Sequence, residues 1–177
     1  FGALAKTDYD SADASWGANA ALAGQIRSNT FWLVQAGVRN GHDIDNRGDV
    51  GGYGPKRSQP SPEDYDQQSF LMKLQQRVEG GHRFGLTGEY FKRRADIDNM
   101  YDQGAGTSYL YGENSTKKET ERERVSFDYS YKAPGEGSLI DTATAVVYWQ
   151  RMRLDNSLDG VRSVDSRANI IPGDPFR

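Results

Sequence analysis

The stretch from Gln68 to Arg94, QSFLMKLQQRVEGGHRFGLTGEYFKRR, carries apolar residues at every second position on both sides of a glycine pair. These apolar residues are Phe70, Met72, Leu74 and Val78, then Phe84, Leu86 and Tyr90. The positions between the first four carry polar side chains, at Lys73, Gln75, Arg77 and Glu79. A period of two places the two sets on opposite faces of a strand. With a tight turn at Gly80-Gly81, the stretch predicts a β-hairpin with one apolar and one polar face.

The same alternation recurs along the chain, beginning with a strand-like start at Phe1. It continues in four further segments, centred on Trp16, on Trp32 to Val38, on Val125 to Tyr131 and on Ala143 to Trp149. Short connections (GQIRSN, EGGH and KAPGEGS) alternate with long polar ones at 40–66, after Phe91 and from Leu154 onward. The sequence therefore predicts about seven antiparallel strands whose long loops share one end, as in bacterial outer-membrane barrels.

The apolar face of such a sheet can point either at a second sheet or at lipid. Only 36% of residues are hydrophobic, 27% are charged and mean hydropathy is -0.81, yet aromatics make up 11%. Disorder accounts for the polarity and not for the aromatics, whereas a barrel wall accounts for both. Aromatics also lie near predicted strand ends, at Trp16, Trp32, Phe84, Tyr129, Tyr131 and Trp149. We therefore expect the even positions from Phe70 to Val78 to face lipid, with Gly80-Gly81 on the periplasmic side; a soluble sandwich stays the alternative.

Several function classes are disfavoured by composition. The absence of cysteine excludes disulfides, zinc-thiolate sites and thiol catalysis. A net charge of -3, with basic residues interleaved among acids, gives no sign of nucleic-acid binding. Nucleophile-elbow, Walker and metal-helix motifs are lacking, so we do not expect an enzyme.

Several runs of the sequence resemble a known family. They are DYDSADASW, AALAG, VRNGHDIDN, the opening hairpin and RVSFDYSYKAPGEGSLIDTATAVVYWQR. These runs resemble early barrel strands of TonB-dependent outer-membrane receptors, closest to the haemoglobin and haem uptake subgroup. The resemblance implies an all-β, antiparallel transmembrane barrel of about 22 strands. Residues 1–177 would supply about seven of those strands, without the plug domain and the remaining strands.

Membership of that family implies a multi-pass protein of the outer membrane, surrounded by its lipid. Such receptors take up haem, or haem from a haem protein, with energy from the TonB complex acting through the plug. Haem would then be a transported ligand and not a resident cofactor of this segment. The FRAP and NPNL motifs around the family's ligating histidine are lacking, so neither His42 nor His82 inherits that role.

Candidate binding residues lie in the predicted long loops. His42 stands where a strand leaves for a loop, and its imidazole suits either haem contact or a hydrogen bond at the rim. Four loop tyrosines are candidates for partner binding, because tyrosine is favoured at protein interfaces: Tyr53, Tyr101, Tyr109 and Tyr111. The charged run KKETERERVSF predicts either a docking ledge or a strand end held by cross-strand charge pairs. No metal site is predicted.

Two other functions stay open from the sequence. The cargo of such a receptor can be a siderophore or another metal chelate. The chain can also belong to an adhesive or autotransporter-type β-protein whose loops bind a host surface. We expect this chain to be part of a longer protein, so the sequence preceding Phe1 separates these hypotheses. A plug domain there favours the receptor, and a long passenger favours the autotransporter.

Overall fold

The computed structural model describes residues 1–135 and 139–163, which form a single seven-stranded antiparallel sheet. The strands are β1 Gly2–Asp10, β2 Ser15–Arg27, β3 Thr30–His42, β4 Glu63–Val78, β5 His82–Asp98, β6 Tyr109–Lys132 and β7 Thr142–Arg162. Each strand pairs with its neighbours in chain order, and a 3-10 turn at Met100–Asp102 is the one helical element of the described residues. The all-β, seven-stranded prediction is confirmed at this level. Between β1 and β7 the described sheet is open, so it is not a closed barrel.

The strand register separates two faces across the whole sheet. In one row, residues from five neighbouring strands lie opposite one another: Trp32, Leu74, Leu86, Phe127 and Val147. We call their side the apolar face. Lys73, Gln75 and Arg77 alternate with these positions on β4 and therefore lie on the other side, the polar face. Glu79 lies in the turn after β4, beyond the strand.

The sheet is a single layer without a dry core. Among the described residues, the one hydrophobic side chain classed as buried is Ala95, which is 5% exposed. On the apolar face, Val147 is 71% exposed and Trp149 is 54% exposed. A sandwich would bury such side chains against a second sheet, and the described residues form no second sheet.

The strands are longer than the alternation of apolar residues predicted. The first long loop covers 43–62 instead of 40–66, and the second covers 99–108 because β5 and β6 continue far beyond Phe91. The long connection predicted from Leu154 is wrong in the described part, since β7 continues to Arg162. These extensions are mostly polar and carry only scattered apolar residues, so hydrophobic periodicity does not detect them. Their backbones pair with the neighbouring strands. Residues of opposite charge, such as Arg94 and Glu119, lie opposite each other in these pairs.

The connections fall at two edges of the sheet. The upper edge carries the turn 11–14 and the two long loops 43–62 and 99–108, and the lower edge carries 28–29, 79–81 and 133–141. The two described long loops therefore share one edge, as predicted. The connection 133–141 is longer than the predicted short turn KAPGEGS, and its residues 136–138 lie outside the described residues.

Aromatic residues mark two borders of the apolar face. At the upper border lie Tyr9, Trp16, Phe70, Tyr90 and Trp149. At the lower border lie Phe1, Trp32, Phe84, Tyr129 and Tyr131. Between the borders, the apolar face of the described strands carries one aromatic residue, Phe127, among aliphatic and small side chains. We call the region between the two borders the apolar band.

The apolar band crosses the register rows diagonally. The row that ends at Trp149 on β7 begins at Ala3 on β1, six residues before Tyr9 and six strands away. The lower border likewise descends four residues over four strands, from the row of Trp32 on β3 to Ala143 on β7. One residue per strand, at about 3.3 Å rise and about 4.8 Å strand spacing, corresponds to strands tilted about 35° from the normal of the band.

The hairpin turn between β4 and β5 requires glycine at Gly81. Its φ is 84°, and an added Cβ would overlap the carbonyl oxygen of Lys132. The change Gly81→Ala is therefore expected to lower the thermal stability of the protein, by roughly 1 to 3 kcal/mol for the backbone strain alone. Gly88→Ala in the same hairpin is the control, because a Cβ there meets no atom within 4 Å. Equal melting temperatures for the two variants would contradict the turn geometry.

Candidate functional site

The two long loops of the upper edge contact each other. The amide of Gly54 donates a hydrogen bond to the carbonyl oxygen of Met100 at 2.9 Å. The rings of Tyr53 and Tyr111 meet edge to face, with centroids 5.4 Å apart. Both tyrosines keep much of their surface exposed, at 43% and 61%. The structure therefore brings two of the four predicted tyrosines into one exposed aromatic pair.

A buried glutamine organises the second loop. Gln103 is fully buried, and its Nε2 donates to the Asp98 carboxylate at 2.5 Å and to the Asn114 carbonyl at 2.9 Å. Its Oε1 accepts from the amide of Gly112 at 2.6 Å. All three hydrogen-bond partners lie close to Gln103 in the sequence. The glutamine therefore holds the loop 99–108 to the start of β6. Sequence analysis missed it; the glycines around it signal a compact loop but do not identify the buried residue.

The other two tyrosines lie apart from this pair. Tyr101 is part of the 3-10 turn and is 53% exposed, so its ring is free to meet a partner. Tyr109 begins β6 and is half-buried, with the guanidinium of Arg162 5.9 Å from its ring centroid. Of the four candidates, Tyr109 is therefore the one that packs within the sheet.

A polar network joins the turn 11–14 to the strands behind it. The Tyr65 hydroxyl donates to the Asp13 carboxylate at 2.7 Å, and the amide of Ser15 donates to the same carboxylate at 3.1 Å. Hydrogen bonding by the Ser15 side chain first, then by Tyr65, and to a smaller extent by the Ser15 amide lowers the pKa of Asp13. Arg39 donates to the hydroxyl of Ser15, which is fully buried, and forms an ion pair with Asp8. The network fixes one side of the upper edge.

His42 is the last residue of β3 and lies away from the tyrosine pair. Its Nδ1 is 2.5 Å from a carboxylate oxygen of Asp64, and its side chain is 60% exposed. It lines a cavity of about 380 Å³ together with Trp16, Asp66 and Asp96. The contact with Asp64 is consistent with the interpretation of His42 as a hydrogen-bonding residue at the rim. His82 lies at the lower edge, where its Nδ1 is 2.9 Å from the Tyr129 hydroxyl.

The charged run of β6 is held by cross-strand ion pairs, as one of its two interpretations predicted. The Glu119 carboxylate lies 2.8 Å from the Lys92 ammonium and 2.8 Å from the Arg94 guanidinium. Hydrogen bonds from Lys92 and then Arg94 lower the pKa of Glu119, and the same contacts raise the pKa values of both cations. All three residues lie beyond the upper border of the apolar band.

The lowered pKa of Glu119 predicts an acid-sensitive strand extension. Because the folded protein favours the charged carboxylate, its stabilisation is complete above the ordinary glutamate pKa of about 4.3. It is lost as the pH falls through the lowered folded-state pKa. Replacing Glu119→Gln should therefore reduce stability at neutral pH, and the difference from wild type should vanish in acid. Thermal unfolding of the full-length protein against pH measures this.

Glu113→Gln provides the control for that pH series, because Glu113 lies on the same strand and forms no ion pair with the described residues. It should follow wild type throughout. A Glu119→Gln difference that stays constant between neutral pH and pH values well below the ordinary glutamate pKa would contradict the assigned ion pairs.

Metal ligands, membrane helices and known relatives give no further indication of the function of these residues. No cluster of three or more His, Cys, Asp or Glu residues among 1–135 and 139–163 has a metal-binding arrangement. None of the described helices is long and apolar enough to cross a membrane. No protein-family model and no curated protein matches the chain.

Proposed function

We propose that this chain is part of the barrel wall of a TonB-dependent outer-membrane receptor that takes up haem iron. The upper edge would lie outside the cell, the apolar face would contact lipid and the polar face would line the lumen. The upper loops would capture haem or a haem protein, and the TonB complex would act through a plug domain. The resemblance of the strand sequences supplies the family and the cargo, and the geometry of the sheet supports a membrane wall.

The observation that carries the proposal is the apolar band with its two aromatic borders. Its tilt of about 35° lies within the range of outer-membrane barrel strands, about 35 to 45°. Along β6 the band runs from Val125 to Tyr131, a rise of about 20 Å that corresponds to a height of about 16 Å after tilt. Outer-membrane barrels carry an apolar band about 25 Å tall, flanked by aromatic girdles.

Strand length is a second argument against a soluble sandwich. β6 has 24 residues and β7 has 21, whereas strands of globular proteins usually have about 3 to 10. On β6 the apolar band occupies only Val125 to Tyr131, and the segment from Asn114 to Arg124 is polar on both faces. A sandwich strand has no reason to continue so far beyond its core, but a barrel strand that extends above the membrane does.

Cysteine labelling in intact cells tests the orientation. Ser58 and Ser108 are exposed in or beside the upper loops, and Gly135 is exposed at the lower edge. A membrane-impermeant maleimide should label Ser58→Cys and Ser108→Cys in the full-length protein from outside, and it should label Gly135→Cys only after lysis. If Gly135→Cys alone is labelled in intact cells, the orientation is the reverse of the proposed one. If all three variants are labelled, the two edges are not separated by a membrane and the proposed location is wrong.

Growth on haem tests the cargo. Gram-negative cells that lack other haem receptors should grow with haem or haemoglobin as iron source only when they produce the full-length protein. The double variant Tyr53→Ala/Tyr111→Ala should reduce this growth, because both rings of the exposed pair are removed, whereas Tyr109→Ala should not. Growth on a ferric siderophore in place of haem would identify the alternative cargo. Failure on every iron source, despite correct outer-membrane assembly, would favour an adhesive β-protein.

A further inference from the structure

Three cationic side chains surround Thr120 on the polar face. Arg93 on β5 lies directly opposite Thr120 on β6, and Lys118 and Arg122 are the next residues of β6 on the same face. Alternate residues of a strand are about 6.6 Å apart. The register therefore places Thr120 at the centre of a compact basic group, which we call the Thr120 cluster.

A cavity opens at the upper side of this cluster. It has a volume of about 290 Å³ and is lined by Glu63, Arg93, Ala95, Lys118 and Thr120. Its floor consists of small side chains, because Ala95 is buried and Thr120 is short. Two cations, one carboxylate and one hydroxyl therefore face a space that can hold a small polar group.

Positive charge exceeds negative charge around the cluster. Arg93 pairs with Glu63 at 3.0 Å, and Arg122 lies 3.9 Å from Glu89. The side chain of Lys118 forms no ion pair or hydrogen bond with any described residue. The Nε of nearby Arg124 is buried and has no hydrogen-bond partner among the described residues. This excess occurs in a chain whose net charge is -3, so the local field attracts an anion that the chain as a whole would repel.

Aromatic rings hold the guanidinium groups of this region in place. The Arg93 guanidinium stacks 4.4 Å from the centroid of Tyr65, and that of Arg124 lies 5.1 Å from the centroid of Tyr148. Stacking on a ring limits the freedom of the long side chain, and one guanidinium nitrogen of Arg93 also donates to the Glu63 carboxylate at 3.0 Å. A planar fork held in this way matches the two oxygens of a carboxylate.

We propose that the Thr120 cluster binds a carboxylate group of a small anionic ligand. The guanidinium of Arg93 receives the carboxylate, the Lys118 ammonium adds a second charge, and the Thr120 hydroxyl donates a further hydrogen bond. The inference rests on the proposed function in one respect: if the polar face lines a lumen, a carboxylate-bearing cargo meets this site on its way inward.

The experiment is calorimetric titration of the full-length protein in detergent with propane-1,2,3-tricarboxylate, compared with inorganic phosphate. Wild type should bind the tricarboxylate more tightly than phosphate. Arg93→Gln and Lys118→Gln should each weaken tricarboxylate binding about tenfold, which corresponds to the loss of one charge-assisted hydrogen bond. Lys117→Gln is the matched control, because Lys117 is the neighbour of Lys118 and points to the opposite face.

Four outcomes would overturn the inference. Absence of tricarboxylate binding by wild type at millimolar concentration would remove the site, as would unchanged affinity in both test variants. Equal weakening by Lys117→Gln would show a general charge effect, and equally tight binding of phosphate would exclude carboxylate recognition. Loss of growth on haem with tricarboxylate binding intact would refute the proposed cargo and leave this site in place.

Discussion

On the proposed function, arginine at Leu74 or at Val147 is expected to impair assembly of the full-length protein in the outer membrane. The two residues occupy one register row within the apolar band, and both are exposed. A lipid-facing Arg near the bilayer midplane costs about 2 to 4 kcal/mol. Because total stabilities are commonly about 5 to 15 kcal/mol, the double variant should lose most of its assembled form.

Gln75→Arg is the control for this change, since Gln75 adjoins Leu74 and points to the polar face. It should assemble like wild type. Outer-membrane yield and the heat-dependent gel shift of the folded barrel measure the difference. Similar yields for Leu74→Arg, Val147→Arg and Gln75→Arg would show that the apolar face does not contact lipid.

Residues 1–177 produced alone are expected to aggregate in the absence of detergent. The described sheet has two free edges, at β1 and β7, whose unpaired backbone groups can pair with other copies. Its apolar face would also stand in water as one broad patch, which promotes association. Sedimentation after refolding should therefore show large species, and no cooperative melting transition of a monomer.

The same preparation is expected to bind haem without defined axial ligation. His42 ends β3 at the upper edge and His82 begins β5 at the lower edge, so the height of the sheet separates the two imidazoles. A sharp bis-histidine Soret spectrum that disappears with either His42→Ala or His82→Ala would contradict this arrangement. A stable monomer with a cooperative melt would instead mean that the chain covers its own apolar face, as in a sandwich.

Polar strand segments show where sequence reasoning reached its limit. A strand end was one of the two interpretations of the run from Lys117 to Glu123, but its partners on β5 and β7 were not predicted, because those residues have no apolar alternation. The charge pairs of that run were anticipated, and Glu119 with Lys92 and Arg94 confirms them. The contact between Tyr53 and Tyr111 was also not predicted, since it joins the loop 43–62 to the start of β6, which is distant along the chain.

The sequence by itself determined the number of strands, their antiparallel order and the two faces of the hairpin from Gln68 to Arg94. These features follow from a period of two and from glycine turns, which are local properties of the backbone. Tertiary structure alone decided the strand ends, the burial of Gln103, the cations around Thr120 and the diagonal course of the apolar band. Each of these depends on the register between strands, because side chains far apart in sequence become neighbours only after the strands have paired.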